Sequence, residues 1–276
     1  MFFYIINFYL KMNYLIQLKS PNSNITHFLY QSYQPYLEFI LNNPKAEIYM
    51  NHNILRKLPE YQRNLMELSF NKFNVINMTE PNSQCKIIKI EPTKPYYKSD
   101  IFKIIRKMVY DKYNIIDTPL EIKYKVLYIR NEKQNGNKIA RRILNYEVIQ
   151  HHFDFVLHSI VDLSFEEQIR LFSRISHLVC PEGSHLGNVI FMNKKCKILA
   201  IVNTGVFYDH RILPYDCWQK TFGGDEFVEE INTNIIATKL VKSNIPEAPW
   251  YHRYNDHIYV DEFLSKKIKN WFSRNN

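Results

Sequence analysis

Three groups of residues have the types and spacing to do chemistry. The first is Pro181-Glu182-Gly183-Ser184-His185, a turn between two apolar runs. Read as strand, turn and helix, it leaves backbone N–H groups unpaired at a helix start, where the helix dipole favours an anion. Gly183 lets a phosphate approach the backbone closely. Ser184 can donate to a phosphate oxygen or cap the helix, and Asn188 lies one turn further on. The same residues can also form an ordinary capped turn. The second group is Arg130, Arg141 and Arg142. A guanidinium binds two oxygens at once and keeps its charge, which suits a diphosphate. Arg130 closes an apolar stretch, at the carboxyl end of a strand, where open α/β sheets bind ligands. An adjacent pair such as Arg141-Arg142 can equally be solvated surface. The third is His27, whose pKa range suits a general base near neutral pH. A lone histidine is also commonly structural.

The elements that must position these residues alternate strand with helix, which predicts an α/β fold. In the first half the pattern predicts a helix over 26–41, with Phe28, Leu29, Tyr33, Tyr36, Leu37, Ile40 and Leu41 apolar and Pro44 closing it. Further helices are expected over 59–70 and 99–113, and strands over 46–50, 73–77 and 85–90. The region 114–121, with Asp117 and Pro119, reads as a boundary. The second half restarts with a strand over 124–129 and a polar loop over 131–138. A short helix over 145–151 and a strand over 155–161 follow. Ser164 and Glu167 have the spacing of a capping box for a helix over 164–176. A buried strand over 178–180, a helix over 185–192 and a strand over 197–202 enclose the glycine turn. An amphipathic helix over 259–272 closes the chain, with Phe263, Leu264, Ile268 and Trp271 on its apolar side.

Composition narrows the function. The chain has 276 residues, 46% of them apolar, enough for a sizeable core. Its 6 glycines form no GxGxxG and no GxxxxGK[ST]. The cysteines at 85, 180, 196 and 217 form no CxxC pair, so neither a zinc ribbon nor a disulfide framework is expected. Cys180 and Cys196 read as core residues. His151-His152 has no HExxH-like partner, there is no DxD triplet to hold a divalent ion, and no GxSxG. No metal site is therefore expected. The net charge of +9 suits an anionic substrate, nucleic acid or an acidic membrane surface, or simply a basic exterior. Residues 1–18 are apolar, but Asn7, Lys11 and Asn13 interrupt them. They read as a strand rather than a membrane span of about 20 apolar residues or a secretory signal. A peripheral membrane contact through Phe2, Phe3 and Tyr4 is a minor alternative. The expected location is cytoplasmic; heavy use of Asn, Ile, Lys and Tyr points to an AT-rich genome, that of a low-GC bacterium or of a large DNA virus, whose protein would work in the host cytoplasm.

Several segments together resemble glycosyltransferase family 61. They are YIRN (128–131), ARRILNYEVI (140–149), DLSFEEQIRLFSRISHLVCPEGSHLGNVIFM (162–192) and KILAIV (197–202). In the first half, NITHFLYQSYQPYLEFIL (24–41) and PEYQRNLMELSF (59–70) are similar to family segments. The resemblance implies an inverting, metal-independent transferase of the GT-B arrangement, with two Rossmann-like domains facing a central cleft. These would be an acceptor-side domain (1–116), a nucleotide-sugar domain (117–256) and a closing helix (257–276) that returns toward the first. His27 would be the catalytic base. Arg130, Arg141, Arg142, Asn145, Glu182, Gly183, Ser184, His185 and Asn188 would line the donor. Glu182 stands where the family usually has histidine, and Ser184-His185 replaces a small pair. A carboxylate beside a diphosphate is unfavourable, so Glu182 is expected to point away or to touch sugar hydroxyls. The implied partners are a UDP-linked sugar such as UDP-GlcNAc or UDP-xylose, and a glycan or glycoprotein acceptor; no other cofactor is implied. Two other readings stay open here: a non-enzymatic nucleic-acid-binding protein, using basic charge and aromatics, and a relative that binds a glycan without transferring sugar.

Overall fold

A computed structural model describes residues 13–17, 28–44, 46–51, 55–72, 75–78, 86–89, 99–116, 124–131, 142–181, 183–192, 196–202, 232–237 and 257–275. The chain divides into two compact units, Met1–Val109 and Tyr110–Asn276. Both are built on parallel sheets, as the alternation of strand and helix predicts.

In the first unit, β1 (Asn13–Gln17), β2 (Glu47–Asn51), β3 (Val75–Met78) and β4 (Lys86–Lys89) pair in the order β3-β2-β1-β4, all parallel. That is the strand order of a Rossmann half-sheet. Residues 1–12 of the predicted N-terminal strand lie outside the described residues. The helix predicted over 26–41 is divided: a π-helical turn, Leu29–Tyr33, leads into α1 (Gln34–Asn42). Pro35 is the reason, since it has no N–H for the regular ladder and its ring crowds the carbonyl one turn back. Helices α2 (Glu60–Lys72) and α3 (Ser99–Tyr113), the last turn of which from Tyr110 on belongs to the second unit, lie within two residues of their predicted bounds. Tyr33 and Tyr36 are fully buried and join α1 to α2. The Tyr33 hydroxyl donates to the Leu65 carbonyl, and the Tyr36 hydroxyl lies 2.7 Å from Ser69 Oγ. Burial pushes both phenols above their usual pKa, so they remain protonated donors.

The second unit contains β5 (Tyr124–Tyr128), β6 (Ile143–Leu144), β7 (Phe155–Leu157), β8 (Ile175–Pro181), β9 (Lys197–Val202), β10 (Asn232–Ala237) and β11 (Ile258–Tyr259). Five of them form a parallel sheet in the order β10-β9-β8-β5-β7, and β11 pairs separately with β6. Counted along the chain, the five run 2-1-3-4-5. The switch point of that topology lies between β5 and β8, and ligands bind outside the carboxyl ends of the strands there.

Both faces of this sheet are covered, so β5, β8 and β9 carry nearly continuous buried runs rather than alternating ones. On one face Leu127, Val179, Leu199 and Ile201 pack against α5 (Glu262–Asn275) through Leu264, Ile268, Trp271 and Phe272. Each such side chain contributes about 1.5–3 kcal/mol by leaving water. α5 starts later than predicted because Ile258 and Tyr259 are held as a strand by β6. Helix α4 (Phe165–Ser173) begins with the predicted capping box: Ser164 Oγ accepts from the Glu167 N–H, and Glu167 accepts from the Ser164 N–H. It ends three residues earlier than predicted, because β8 claims Ile175 and Ser176. β7 is shorter than predicted, and residues 145–151 form two 3-10 turns, Tyr146–Val148 and Gln150–His152, in place of an α-helix. Cys180 and Cys196 are buried thiols, as core residues should be. Among the described residues no helix is long and apolar enough to cross a membrane.

Phe272 anchors α5 among the rings of His152, Phe153 and His177, with Lys125 Nζ 5.7 Å from its centroid. Burial, and then the charges of His151, Lys269 and Lys125, hold the His152 pKa below its usual 6.5. The unfolded chain therefore binds this proton more readily, and the stability this histidine contributes rises with pH until 6.5 is passed. Denaturation midpoints measured against pH should show a slope below 6.5 that His152→Gln flattens; an unaltered slope in the variant would assign the effect elsewhere.

Candidate functional site

At the switch point, β5 and β8 end side by side. Leu127 is in register with Val179, Arg130 follows two residues after β5, and Gly183 two residues after β8. The backbone at Arg130 is left-handed, with φ of 57°. That conformation costs a non-glycine residue on the order of 1–2 kcal/mol and persists only where the surroundings impose it. Here the imposition is visible on both sides. The Ile129 N–H donates to the Leu157 carbonyl at 3.0 Å, and the Asn131 N–H to that of His158 at 2.6 Å. The side chain so placed is only 3% exposed.

Gly183 shows where the guanidinium has gone. A Cβ at this position would lie 2.8 Å from Arg130 Nη1 and 3.0 Å from both Nδ1 and Cε1 of His185. The backbone at Gly183 is extended, with φ of 165°, a conformation open to any residue. What glycine supplies here is room. The His185 ring, 4% exposed, stands edge-on to Tyr128 with centroids 4.6 Å apart. Tyr128, Arg130, Gly183 and His185 thus form one cluster at the carboxyl edge of the sheet.

The turn leads into a 3-10 helix, Ser184–Phe191, rather than the α-helix expected over 185–192. Three contacts hold it. The Tyr110 hydroxyl donates to the Phe191 carbonyl at 2.7 Å, Phe165 meets Phe191 edge-to-face, and Asn188 Nδ2 donates to Gln168 Oε1 at 3.1 Å.

The structure brings some of the expected residues together and not others. Arg142 approaches the same edge through its neighbour, since the Ile143 N–H donates to the Ile129 carbonyl at 3.0 Å. The Arg142 N–H donates to His257 Nδ1 at 3.3 Å, and its Nε is buried without a hydrogen-bond partner. Asn145 is left-handed, with φ of 54°, and its Nδ2 donates to the Val260 carbonyl, joining β6 to β11. Its amide therefore already has a structural task. His27, Arg141 and Glu182 lie outside the described residues, and for Ser184 only the helical backbone is described. Tyr128 and Gln168 were missed by the sequence reading. Tyr128 sits in a strand run indistinguishable from core, and Gln168 looks like an ordinary polar position on a helix. Among the described residues no three His, Cys, Asp or Glu side chains gather as metal ligands.

Fold and cluster together define a parallel α/β protein that brings a guanidinium and an imidazole to the switch point of its second sheet. A family profile for Glycosyltransferase 61 matches residues 8–199, and the chain belongs to that family. It is a glycosyltransferase, and so takes a sugar donor and an acceptor. The match includes Arg130, Gly183, His185 and Asn188. No curated protein matches the chain.

Gly183→Ala tests the packing. Its methyl would force the guanidinium or the imidazole to move, and the expected loss is about 1–3 kcal/mol of stability, as for other overpacked sites. A melting midpoint equal to wild type would show that Arg130 is not lodged beside the turn.

Proposed function

We propose that the chain is an inverting, metal-independent glycosyltransferase. It moves a sugar from a UDP-linked donor, UDP-GlcNAc or UDP-xylose, to a hydroxyl of a glycan or glycoprotein. In this reading the two parallel-sheet units are the Rossmann-like domains of a GT-B enzyme, with the donor on the second and the acceptor on the first. The observation that carries the proposal is the lodging of Arg130 against Gly183 at the β5–β8 switch point.

The mechanism follows from charge. The acceptor oxygen attacks the anomeric carbon from the face opposite the leaving group, and His27 takes the hydroxyl proton. The new carbon–oxygen bond forms as the bond to the diphosphate breaks, which inverts the anomeric centre. The departing diphosphate gains negative charge. Arg130, with the turn amides, Arg141 and Arg142, would meet that charge. Such groups accelerate the step because they bind the separating diphosphate more strongly than the intact donor. Fixed in place by backbone hydrogen bonds, Arg130 needs little reorganisation to do so. His185 borders the same space and would contact the diphosphate or the sugar. Glu182 would face away from the phosphates, toward sugar hydroxyls.

Two variants separate binding from chemistry. Arg130→Ala should weaken UDP binding by calorimetry at least tenfold, about 1.4 kcal/mol. His27→Ala should abolish transfer and leave UDP affinity unchanged. Full UDP affinity in the first variant, or full activity in the second, would remove the assigned role. Transfer should also survive EDTA, and a strict requirement for added Mn²⁺ would overturn the metal-independent mechanism.

A further inference from the structure

The family profile ends at residue 199, yet a later segment returns to the edge where Arg130 stands. β11 lies parallel to β6, with Ile258 in register with Ile143 and Tyr259 with Leu144. The Ile258 N–H donates to the Arg142 carbonyl at 2.9 Å, and the Val260 N–H to the Leu144 carbonyl at 3.1 Å. Asn145 Nδ2 adds a bond to the Val260 carbonyl at 3.1 Å. β6 is itself tied to the residue before Arg130, because the Ile143 N–H donates to the Ile129 carbonyl at 3.0 Å. One step back in the same register puts His257 beside Arg142, and the Arg142 N–H donates to His257 Nδ1 at 3.3 Å.

Side chains along such a ribbon alternate between its faces. Leu127, Ile129, Ile143 and Ile258 enter the core beneath α5. Tyr128, Arg142 and His257 alternate with them and belong to the opposite face. That is the face on which His185 meets Tyr128 and Arg130 lodges against Gly183. Two groups there can only donate. Arg142 Nε is buried without a hydrogen-bond partner, and a buried N–H left unmet is costly. His257 accepts at Nδ1, which assigns the ring proton to Nε2. The His257 side chain is exposed, so a ligand can reach that N–H. The complement of a guanidinium beside an imidazole N–H is an oxyanion.

We propose that His257 is a binding residue for the donor diphosphate, giving its Nε2–H to a phosphate oxygen beside Arg142. β11 is then part of the donor site, although the family profile stops before it. The proposal rests on the donor reading of the Gly183 turn given above, and extends it to a segment distant in sequence.

Calorimetry with UDP and with inorganic pyrophosphate tests it. His257→Ala should weaken both about tenfold, roughly 1.4 kcal/mol. His257→Gln keeps an N–H near the place of Nε2 and should restore most of both affinities. His257→Asn keeps an acceptor for the Arg142 N–H but no donor where Nε2 stood, and should not. A residue that merely held the Arg142 backbone would show the reverse order, with Asn rescuing and Gln failing, and that result overturns the proposal. So does wild-type affinity in His257→Ala, or a loss for UDP that spares pyrophosphate. Should the variants fail to fold, the ring nitrogen resonances of wild-type His257 decide: pyrophosphate should shift Nε2, and an unmoved Nε2 overturns the proposal. Wild-type binding of both ligands with an unaltered His257→Ala would sink this assignment and keep the donor reading. Binding of neither ligand by the wild-type chain would sink the donor reading itself.

Discussion

A guanidinium held in the interior, against a backbone turn with no room for a side chain, is the contact on which the proposed donor site of the second unit depends. Arg130 adopts a left-handed backbone that arginine does not favour, and bonds to Leu157 and His158 on either side hold it there. Its side chain then fills the space that a residue larger than glycine would take at 183. In the proposed function the donor diphosphate meets this guanidinium, and a site arranged before the ligand arrives needs little rearrangement as the bond breaks.

Around that contact the fold separates two kinds of work. The carboxyl edge of the sheet presents Tyr128, Arg130, Gly183 and His185. The face beneath α5 supplies stability, with Leu264, Ile268, Trp271 and Phe272 laid across β5, β8 and β9. The 3-10 helix after the turn belongs to both. Tyr110 and Phe165 fasten its far end in the core, while its first residues stand at the edge. A short, tightly wound helix suits this place, since its buried apolar residues pin it while its start stays with the turn.

The first unit is a parallel sheet with the strand order of a Rossmann half, and its interior is knitted by phenols rather than by aliphatic packing alone. Tyr33 and Tyr36, stacked 6.0 Å apart, each reach α2 with a hydroxyl. A buried phenol combines a large apolar ring with a donor that must find a partner, so it fixes the register of two helices more narrowly than leucine would. Membership of glycosyltransferase family 61 gives the chain its task, the handling of a sugar donor and an acceptor.

Periodicity alone determined most of the elements. The helices at 60–72, 99–113 and 165–173 and the strands at 124–128 and 197–202 follow from stripes of buried residues and a capping box that need no distant partner. The arginines and the glycine turn were also legible as candidates, because charge and the lack of a side chain are written in the sequence. What failed in the sequence reading depends on distant partners or on local strain. Pro35 divides the first helix, Tyr259 is drawn into a strand by β6, and the glycine turn opens a 3-10 rather than an α-helix. Only the tertiary structure decided that Arg130 rests on Gly183, that Asn145 is engaged with Val260, and that Gln168 accepts from Asn188. The reason is physical. A hydrogen bond or steric contact between residues some 20, 50 or more than 100 positions apart exists only once the strands have been placed side by side, and no local pattern of residue types records which partner will be there.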